Sequence, residues 1–207
     1  MLWAAPDGGL ELRREGGDTR LRGRFPYNSR AVLSDGGRRG RPRKEQFASH
    51  AFKFSVDSEA RIDLLAGHSF DRPLASRANG TLDLVDTAEA LTFTARILPE
   101  LMDVAHVRDT LTMIGAGLAV GVSPGFRIPP PAAVPPEEAE TVEEEDPSEG
   151  RAIIRTIRQA ILFELSVVSR PAYPEAQVEA RDWTVNERAA AVSAQMAKWR
   201  RLRQWAL

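Results

Sequence analysis

Residues 114–127 read Ile-Gly-Ala-Gly-Leu-Ala-Val-Gly-Val-Ser-Pro-Gly-Phe-Arg, a run of small and apolar residues with a single hydroxyl, that of Ser123. The apolar residues before the serine predict a buried strand that ends at it. Packing at a strand end can hold a serine side chain in one orientation, which suits a nucleophile. Glycine-flanked serines also occur in ordinary tight turns, so this stretch alone leaves both interpretations open.

The segments around this run predict a mainly β protein with flanking helices. Polar and apolar residues alternate in residues 81–85 and 90–98, and the short link between them predicts a hairpin. Further strands are predicted at residues 21–28, 61–66 and 152–168. Apolar residues at helical spacing predict a short surface helix or turn within residues 44–54 and a helix over residues 100–114.

The composition fits one globular domain with appendages. The chain has 207 residues, 43% of them hydrophobic, which is enough for a core. It has no cysteine, which excludes disulfides, a thiolate zinc site and a cysteine nucleophile. No apolar run approaches the roughly 18–20 residues of a membrane span, and the start lacks a signal-peptide pattern. We therefore expect a soluble protein that is not secreted.

Charge is distributed unevenly along the chain, although the net charge is only −1. Residues 38–44 form a basic loop containing Arg-Gly-Arg-Pro, a sequence found in short hooks that bind A/T-rich minor grooves. A lone basic run is more often a solvated loop, so nucleic acid is not the expected partner. Residues 128–150 are rich in proline and then in glutamate, which predicts a mobile surface insertion that splits the sheet without joining it.

The two ends of the chain are predicted to lie outside the main domain. Residues 1–20 form an N-terminal arm in this interpretation, and residues 21–181 form the domain. Residues 182–207 contain the capping-box pattern Thr184-Val-Asn-Glu and apolar residues spaced four and three apart, which predicts an amphipathic helix. This helix either docks on its own domain or binds a partner.

Three polar residues stand out because each occupies the end or the polar face of a predicted strand. His68 follows the strand at 61–66, and Ser123 ends the central run. In the last strand, alternation places Glu164 and Ser166 on one face and Phe163, Leu165 and Val167 on the other. A serine becomes a nucleophile at neutral pH when an imidazole can take its proton and a third group fixes that imidazole. Such a trio can also arise by chance in a chain of this length.

Five blocks of sequence, taken in order, carry a resemblance to a known family. They read Arg22-Gly-Arg-Phe-Pro-Tyr-Asn28, Gln46-Phe-Ala-Ser-His-Ala-Phe52, Leu65-Ala-Gly-His-Ser-Phe-Asp-Arg-Pro-Leu-Ala75, Gly117-Leu-Ala-Val-Gly-Val-Ser-Pro-Gly-Phe126 and Leu162-Phe-Glu-Leu-Ser-Val-Val-Ser-Arg-Pro-Ala-Tyr-Pro174. Over residues 21–181 the chain resembles the prohead proteases of tailed bacteriophages, capsid-maturation serine peptidases similar in fold to the herpesvirus assemblins.

The resemblance implies an assemblin-like β-barrel with flanking helices and a serine endopeptidase activity without metal or organic cofactor. It places the nucleophile at Ser123 and the histidine at His68. Glu164 is our candidate for the third residue, because assemblins use a second histidine there and neither His50 nor His106 follows the serine. The implied substrate is scaffold protein or the scaffold-like part of the major capsid protein, and also the enzyme itself. The implied setting is a dimer inside the immature capsid in the host cytoplasm, away from membranes.

One residue departs from the arrangement that serine hydrolases commonly use. Pro124 follows the proposed nucleophile and has no N–H, so it cannot donate to an oxyanion. This departure supports an alternative, a non-catalytic protein of the same fold that binds capsid or scaffold protein during assembly. A nucleic-acid-binding module built on residues 38–44 is the third interpretation, and the overall charge and the lack of interleaved aromatic residues disfavour it.

Overall fold

The structure is a computed structural model that describes residues 11–171, apart from residues 16, 17, 39, 59 and 120. Side chains are not described for residues 11 and 13–18. The predicted helix at 182–207 lies outside the described residues, and so does Arg39 of the basic loop. Within the described part, no helix is long and apolar enough to cross a membrane.

The described residues form twelve strands and three short α-helices. The strands are β1 (Glu11–Glu15), β2 (Asp18–Pro26), β3 (Ala31–Ser34), β4 (Arg43–Phe47), β5 (Asp63–Ala66), β6 (Ser69–Ser76), β7 (Leu82–Asp86), β8 (Ala90–Ile97), β9 (Gly121–Arg127), β10 (Glu140–Glu144), β11 (Ile153–Ile157) and β12 (Ile161–Val168). The helices are α1 (Lys53–Asp57), α2 (Ala105–Gly115) and α3 (Pro136–Ala139).

The strands build three four-stranded sheets, which confirms the prediction of a mainly β protein. Their orders are β1-β2-β8-β7, β10-β11-β4-β3 and β6-β5-β12-β9. The expected closed barrel is not present among the described residues, because the outer strands of each sheet have a partner on one side only, whereas a barrel pairs every strand on both sides. Most pairs are antiparallel, but β4 with β11 and β5 with β12 run parallel.

An aromatic cluster forms the centre of the core. Phe25, Phe47 and Phe52 are fully buried, and the Phe25 and Phe47 rings meet edge to face at 5.2 Å. Phe126 of β9 packs on Phe47 at 4.9 Å. Each such ring pair contributes about 0.5–1.5 kcal/mol beyond the burial of its area. The cluster thus joins β2, β4 and the third sheet.

The central run 114–127 folds differently from the expectation. Helix α2 extends to Gly115, Gly117 reverses the chain at a φ of 68°, and strand β9 begins only at Gly121. Ser123 is therefore near the start of a strand instead of at its end. Short apolar runs do not distinguish a strand from a buried helix end or turn, which explains the difference.

The acidic run is part of a sheet, which corrects the prediction of an insertion outside it. Residues 140–144 form β10, which pairs antiparallel with β11. The reason is charge complementarity with the basic loop. Arg41 Nη1 lies 2.7 Å from Glu144 Oε1, and Lys44 bonds to the buried Glu145. Composition alone predicts that such charges are solvated, but here Glu144 and Glu145 pair with the basic loop.

Two further predictions can be compared with the structure. The hairpin at 81–98 is confirmed as β7 and β8. Within residues 44–54, strand β4 ends at Phe47, the turn that is one of the two expectations follows it, and helix α1 begins only at Lys53. The spaced aromatic residues of this segment do not share a helical face, since Phe47 is buried in a strand and Phe54 is 67% exposed.

Candidate active site

Strand β12 lies inside the third sheet and places the candidate residues near one another. It pairs in parallel with β5 and antiparallel with β9. Glu164 lies opposite Gly125, and Ser166 lies opposite Ser123. Side chains opposite each other in an antiparallel pair, and side chains two residues apart on a strand, project from the same face. Ser123, Glu164 and Ser166 therefore share one face of the sheet.

His68 lies in the tight turn that joins β5 to β6. Gly67 and His68 have φ angles of 63° and 61°, and Ala66 pairs with Ser69 across them. Two residues at positive φ match the twist of a hairpin, and histidine is enriched among the non-glycine residues found there. The Gly67 N–H donates to the Val167 carbonyl at 3.0 Å. The turn is thereby fastened to β12.

The His68 ring bonds to the buried carboxylate of Glu164. His68 Nδ1 lies 2.7 Å from Glu164 Oε1. The Glu164 side chain is 2% exposed and the His68 side chain is 46% exposed. The buried carboxylate therefore holds a ring that is partly open to solvent. An ionised carboxylate can only accept hydrogen bonds, so a neutral His68 ring bonded to an ionised Glu164 carries its hydrogen on Nδ1 and keeps a lone pair on Nε2. A general base requires this tautomer.

Ser166 bonds to both members of this pair. Its hydroxyl donates to Glu164 Oε2 at 2.7 Å and accepts the His68 backbone N–H at 2.9 Å. Ser166 is completely buried. The alternation in the sequence predicts that Ser166 lies on the same face of the strand as Glu164, but it predicts no role for Ser166. Alternation indicates which face a side chain lies on, and it does not indicate which groups form hydrogen bonds.

Gly125 makes room for the carboxylate. A Cβ atom at this position would lie 2.0 Å from Glu164 Oε1 and 2.6 Å from Glu164 Cδ. Any other residue would therefore force the Glu164 side chain to move. The glycine after the Ser-Pro pair in the central run is thus required by a contact with a strand that lies far away in the sequence.

Ser123 lies next to this cluster but is not bonded to it. It is half-buried, and among the described residues its hydroxyl has no hydrogen-bond partner. His68 Nε2 likewise has none within the described part of the chain. The structure thus joins His68 to Glu164 and places Ser123 on the same face without a bond between nucleophile and base. Such bonds are often long before a substrate binds.

The sequence matches a family model described as caudovirus prohead serine protease over residues 32–191, which include His68, Ser123 and Glu164. The chain belongs to this family. Membership indicates a serine protease role in the maturation of the phage capsid. Searches of curated proteins and of solved structures found no match.

Two exposed aromatic residues of this prohead protease family member lie close in sequence to His68 and Glu164. Phe70 and Phe163 stack with centroids 6.5 Å apart and are 61% and 39% exposed. Alternation predicted that Phe163 shares a face with the buried Leu165 and Val167. A register shift between Leu162 and Glu164 changes that pattern, and it leaves Phe163 exposed.

The other two histidines of this family member have their own partners elsewhere. His50 Nδ1 lies 2.6 Å from Asp86 Oδ2, and Asp86 also accepts a hydrogen bond from the Tyr27 hydroxyl. Burial, together with Asp86, raises the pKa of Tyr27 well above its ordinary value. His106 Nε2 bonds to the Pro73 carbonyl at 2.9 Å. Of the three histidines, His68 is the one that bonds to a residue on the face that carries Ser123.

Proposed function

We propose that this protein is a serine endopeptidase that cleaves scaffold protein or scaffold-like capsid segments, and itself, during prohead maturation. In this proposal Ser123 is the nucleophile, His68 is the general base and acid, and Glu164 orients His68. The carrying observation is the 2.7 Å bond between His68 Nδ1 and the buried Glu164 carboxylate, within the span matched by a serine protease family.

The proposed reaction is acyl transfer in two steps. His68 Nε2 takes the hydroxyl proton while Ser123 Oγ bonds to the scissile carbonyl carbon, and the carbonyl oxygen becomes an oxyanion. The tetrahedral intermediate then collapses, the C–N bond breaks, and the imidazolium returns the proton to the leaving amine. Water, deprotonated by the same nitrogen, hydrolyses the acyl-enzyme. Glu164 accepts the hydrogen bond from Nδ1 throughout and stabilises the imidazolium.

Stabilisation of the oxyanion must come from a donor other than the residue that follows the nucleophile. Pro124 occupies that position and has no N–H. Donors of this kind usually contribute about 10²- to 10³-fold in kcat, so the enzyme needs a substitute. A backbone amide of a glycine-rich loop or an ordered water can supply one.

The proposed substrates are the major capsid protein or the scaffold protein, enclosed with the enzyme in the immature shell within the host cytoplasm. Packaging raises the local concentration of every component. If the active form is a dimer, mass action then favours it inside the shell. The His68 side chain is 46% exposed, so the proposed base can be reached from solvent.

The test is co-expression with a candidate capsid or scaffold protein of a tailed phage, read by intact-mass spectrometry. The wild type is compared with Ser123→Ala and with the control Ser58→Ala, an exposed serine at the end of α1. We expect discrete products in the wild type and the control and none in Ser123→Ala. If all three proteins gave identical intact masses with several partners, and none cleaved itself, the non-catalytic assembly protein would be favoured instead. Two features already support that alternative: Pro124 after the proposed nucleophile, and the Ser123 hydroxyl without a hydrogen-bond partner among the described residues.

A further inference from the structure

We propose that Ser166 is a positioning residue for this reaction, a role that rests on the proposed function. Its hydroxyl holds the second oxygen of Glu164, and its oxygen anchors the backbone of the His68 turn. One side chain therefore fixes both the acceptor and the donor of the His68–Glu164 bond. The three distances of this ring of contacts are 2.7, 2.9 and 2.7 Å.

The bonding capacity of a serine hydroxyl sets the direction of these contacts. A hydroxyl has one hydrogen to donate. The His68 N–H already points at the Ser166 oxygen, and Glu164 Oε2 can only accept, so the single hydrogen is directed at the carboxylate. Because this hydrogen faces Glu164 and Ser166 is fully buried, Ser166 is not itself a nucleophile for His68 Nε2.

Without the Ser166 hydroxyl, the position of the His68 ring would be less well fixed. Glu164 Oε2 would lose its donor in a buried site, and an unpaired buried carboxylate oxygen carries a large desolvation cost. The carboxylate would then turn towards another donor, and the His68 turn would lose its backbone anchor. Both movements change the position of Nε2 relative to Ser123, which affects the chemical step more than substrate binding.

Ser55 offers a matched control for purely structural effects. It is 1% exposed, and its hydroxyl accepts the Leu162 N–H of the same strand β12 at 2.9 Å. It therefore supports β12 as Ser166 does, but it touches neither His68 nor Glu164. A general loosening of the strand would appear in Ser55→Ala, whereas a positioning role would appear in Ser166→Ala alone.

The first test compares cleavage kinetics of Ser166→Ala, Ser166→Thr and Ser55→Ala on the same capsid or scaffold substrate. We expect Ser166→Ala to lower kcat by up to about a hundredfold with KM nearly unchanged, since a misplacement of about 1 Å can cost about 10²-fold in rate. Ser166→Thr, which keeps the hydroxyl, should recover most of the loss, and Ser55→Ala should retain kcat. Equal kcat losses in the two alanine variants, or none in Ser166→Ala, would overturn the proposal.

The second test does not depend on activity, so it separates this proposal from the proposed function. In the full chain carrying Ser123→Ala, proton NMR should show a downfield Nδ1–H resonance for His68 bonded to Glu164, assigned by its loss in His68→Ala. Adding Ser166→Ala should shift or broaden that resonance and leave the corresponding one of the His50–Asp86 pair unchanged. An unaltered His68 resonance would overturn the positioning role, whereas a wild type without cleavage would overturn only the protease.

Discussion

Glu164 lies where an ionised carboxylate costs several kcal/mol unless its oxygens are bonded. His68 bonds to one oxygen and Ser166 bonds to the other. Gly125 leaves the space that the carboxylate fills. The His68 imidazole is therefore bonded to a carboxylate that is itself held in place by its neighbours. Proton transfer is efficient when the reacting group is fixed in this way.

The contact at Gly125 predicts a sharp effect of one methyl group. Gly125→Ala should displace the Glu164 carboxylate, because the new Cβ would lie 2.0 Å from Oε1. A displacement of about 1 Å at a catalytic group costs roughly a hundredfold in rate, so kcat for cleavage should fall by about that factor. Gly115→Ala is the control, since its Cβ would meet nothing within 4 Å. Full activity in Gly125→Ala would contradict this account of the glycine.

At the residue scale, the sequence predicts which residues are candidates for the site, but it does not predict the contacts between them. The positions of His68, Ser123 and Glu164 came from strand ends, alternation and the family resemblance, and their catalytic roles stay predictions. The contact of Gly125 with Glu164 depends on the register between β9 and β12, which lie about 40 residues apart in the chain, with a bulge at Phe163. The contact of Ser166 with His68 joins residues 98 positions apart and depends on the pairing of β5 with β12. No local pattern encodes that register.

At the scale of elements, the basic loop and the acidic run form one structure. Arg155 of β11 bonds to Glu140 of β10 and to Glu45 of β4, which ties three strands together. Glu145 is 5% exposed and accepts from Lys44 and from the Ala152 N–H. Sequence composition predicts each run correctly as charged, but it cannot show that runs about 100 residues apart pair with each other.

This pairing predicts a pH dependence of stability. The hydrogen bond from Lys44, with that from the Ala152 N–H, lowers the pKa of Glu145 from its ordinary value of 4.5. A carboxyl whose pKa is lower in the folded state stabilises the fold above pH 4.5, and this contribution disappears as the pH falls through the folded-state pKa. Glu145→Gln should therefore lower the Tm by a few degrees at pH 7, and its difference from the wild type should shrink as the pH falls below 4.5.

Thermal unfolding between pH 3 and pH 7 checks this expectation. Glu149→Gln serves as the control, because Glu149 forms an exposed ion pair with Arg30 at 3.2 Å and such pairs contribute little. Its Tm should follow the wild type at every pH. A Glu145→Gln variant as stable as this control at pH 7 would show that the buried pairing adds nothing to the stability of the sheet.

At the scale of the whole molecule, the strand-rich character was predictable because alternation is a local property. The hairpin of β7 and β8 shows this most clearly, since its two strands and their link are adjacent in the sequence. The division into three sheets was not predictable, because it depends on parallel pairs such as β4 with β11 that join distant segments. The expected barrel came from the resemblance, and no closed barrel occurs in the described part of the chain.

The central claim is that Ser123 is a nucleophile activated by His68, and covalent labelling tests it most directly. The full chain is treated with a fluorophosphonate probe, which forms a stable bond only with an activated serine, and the adduct is located by peptide mapping. We expect a single adduct at Ser123 that is absent in His68→Ala and formed far more slowly in Glu164→Gln. An adduct on Ser166 or another serine, or a Ser123 adduct that forms equally fast in His68→Ala, would contradict the account.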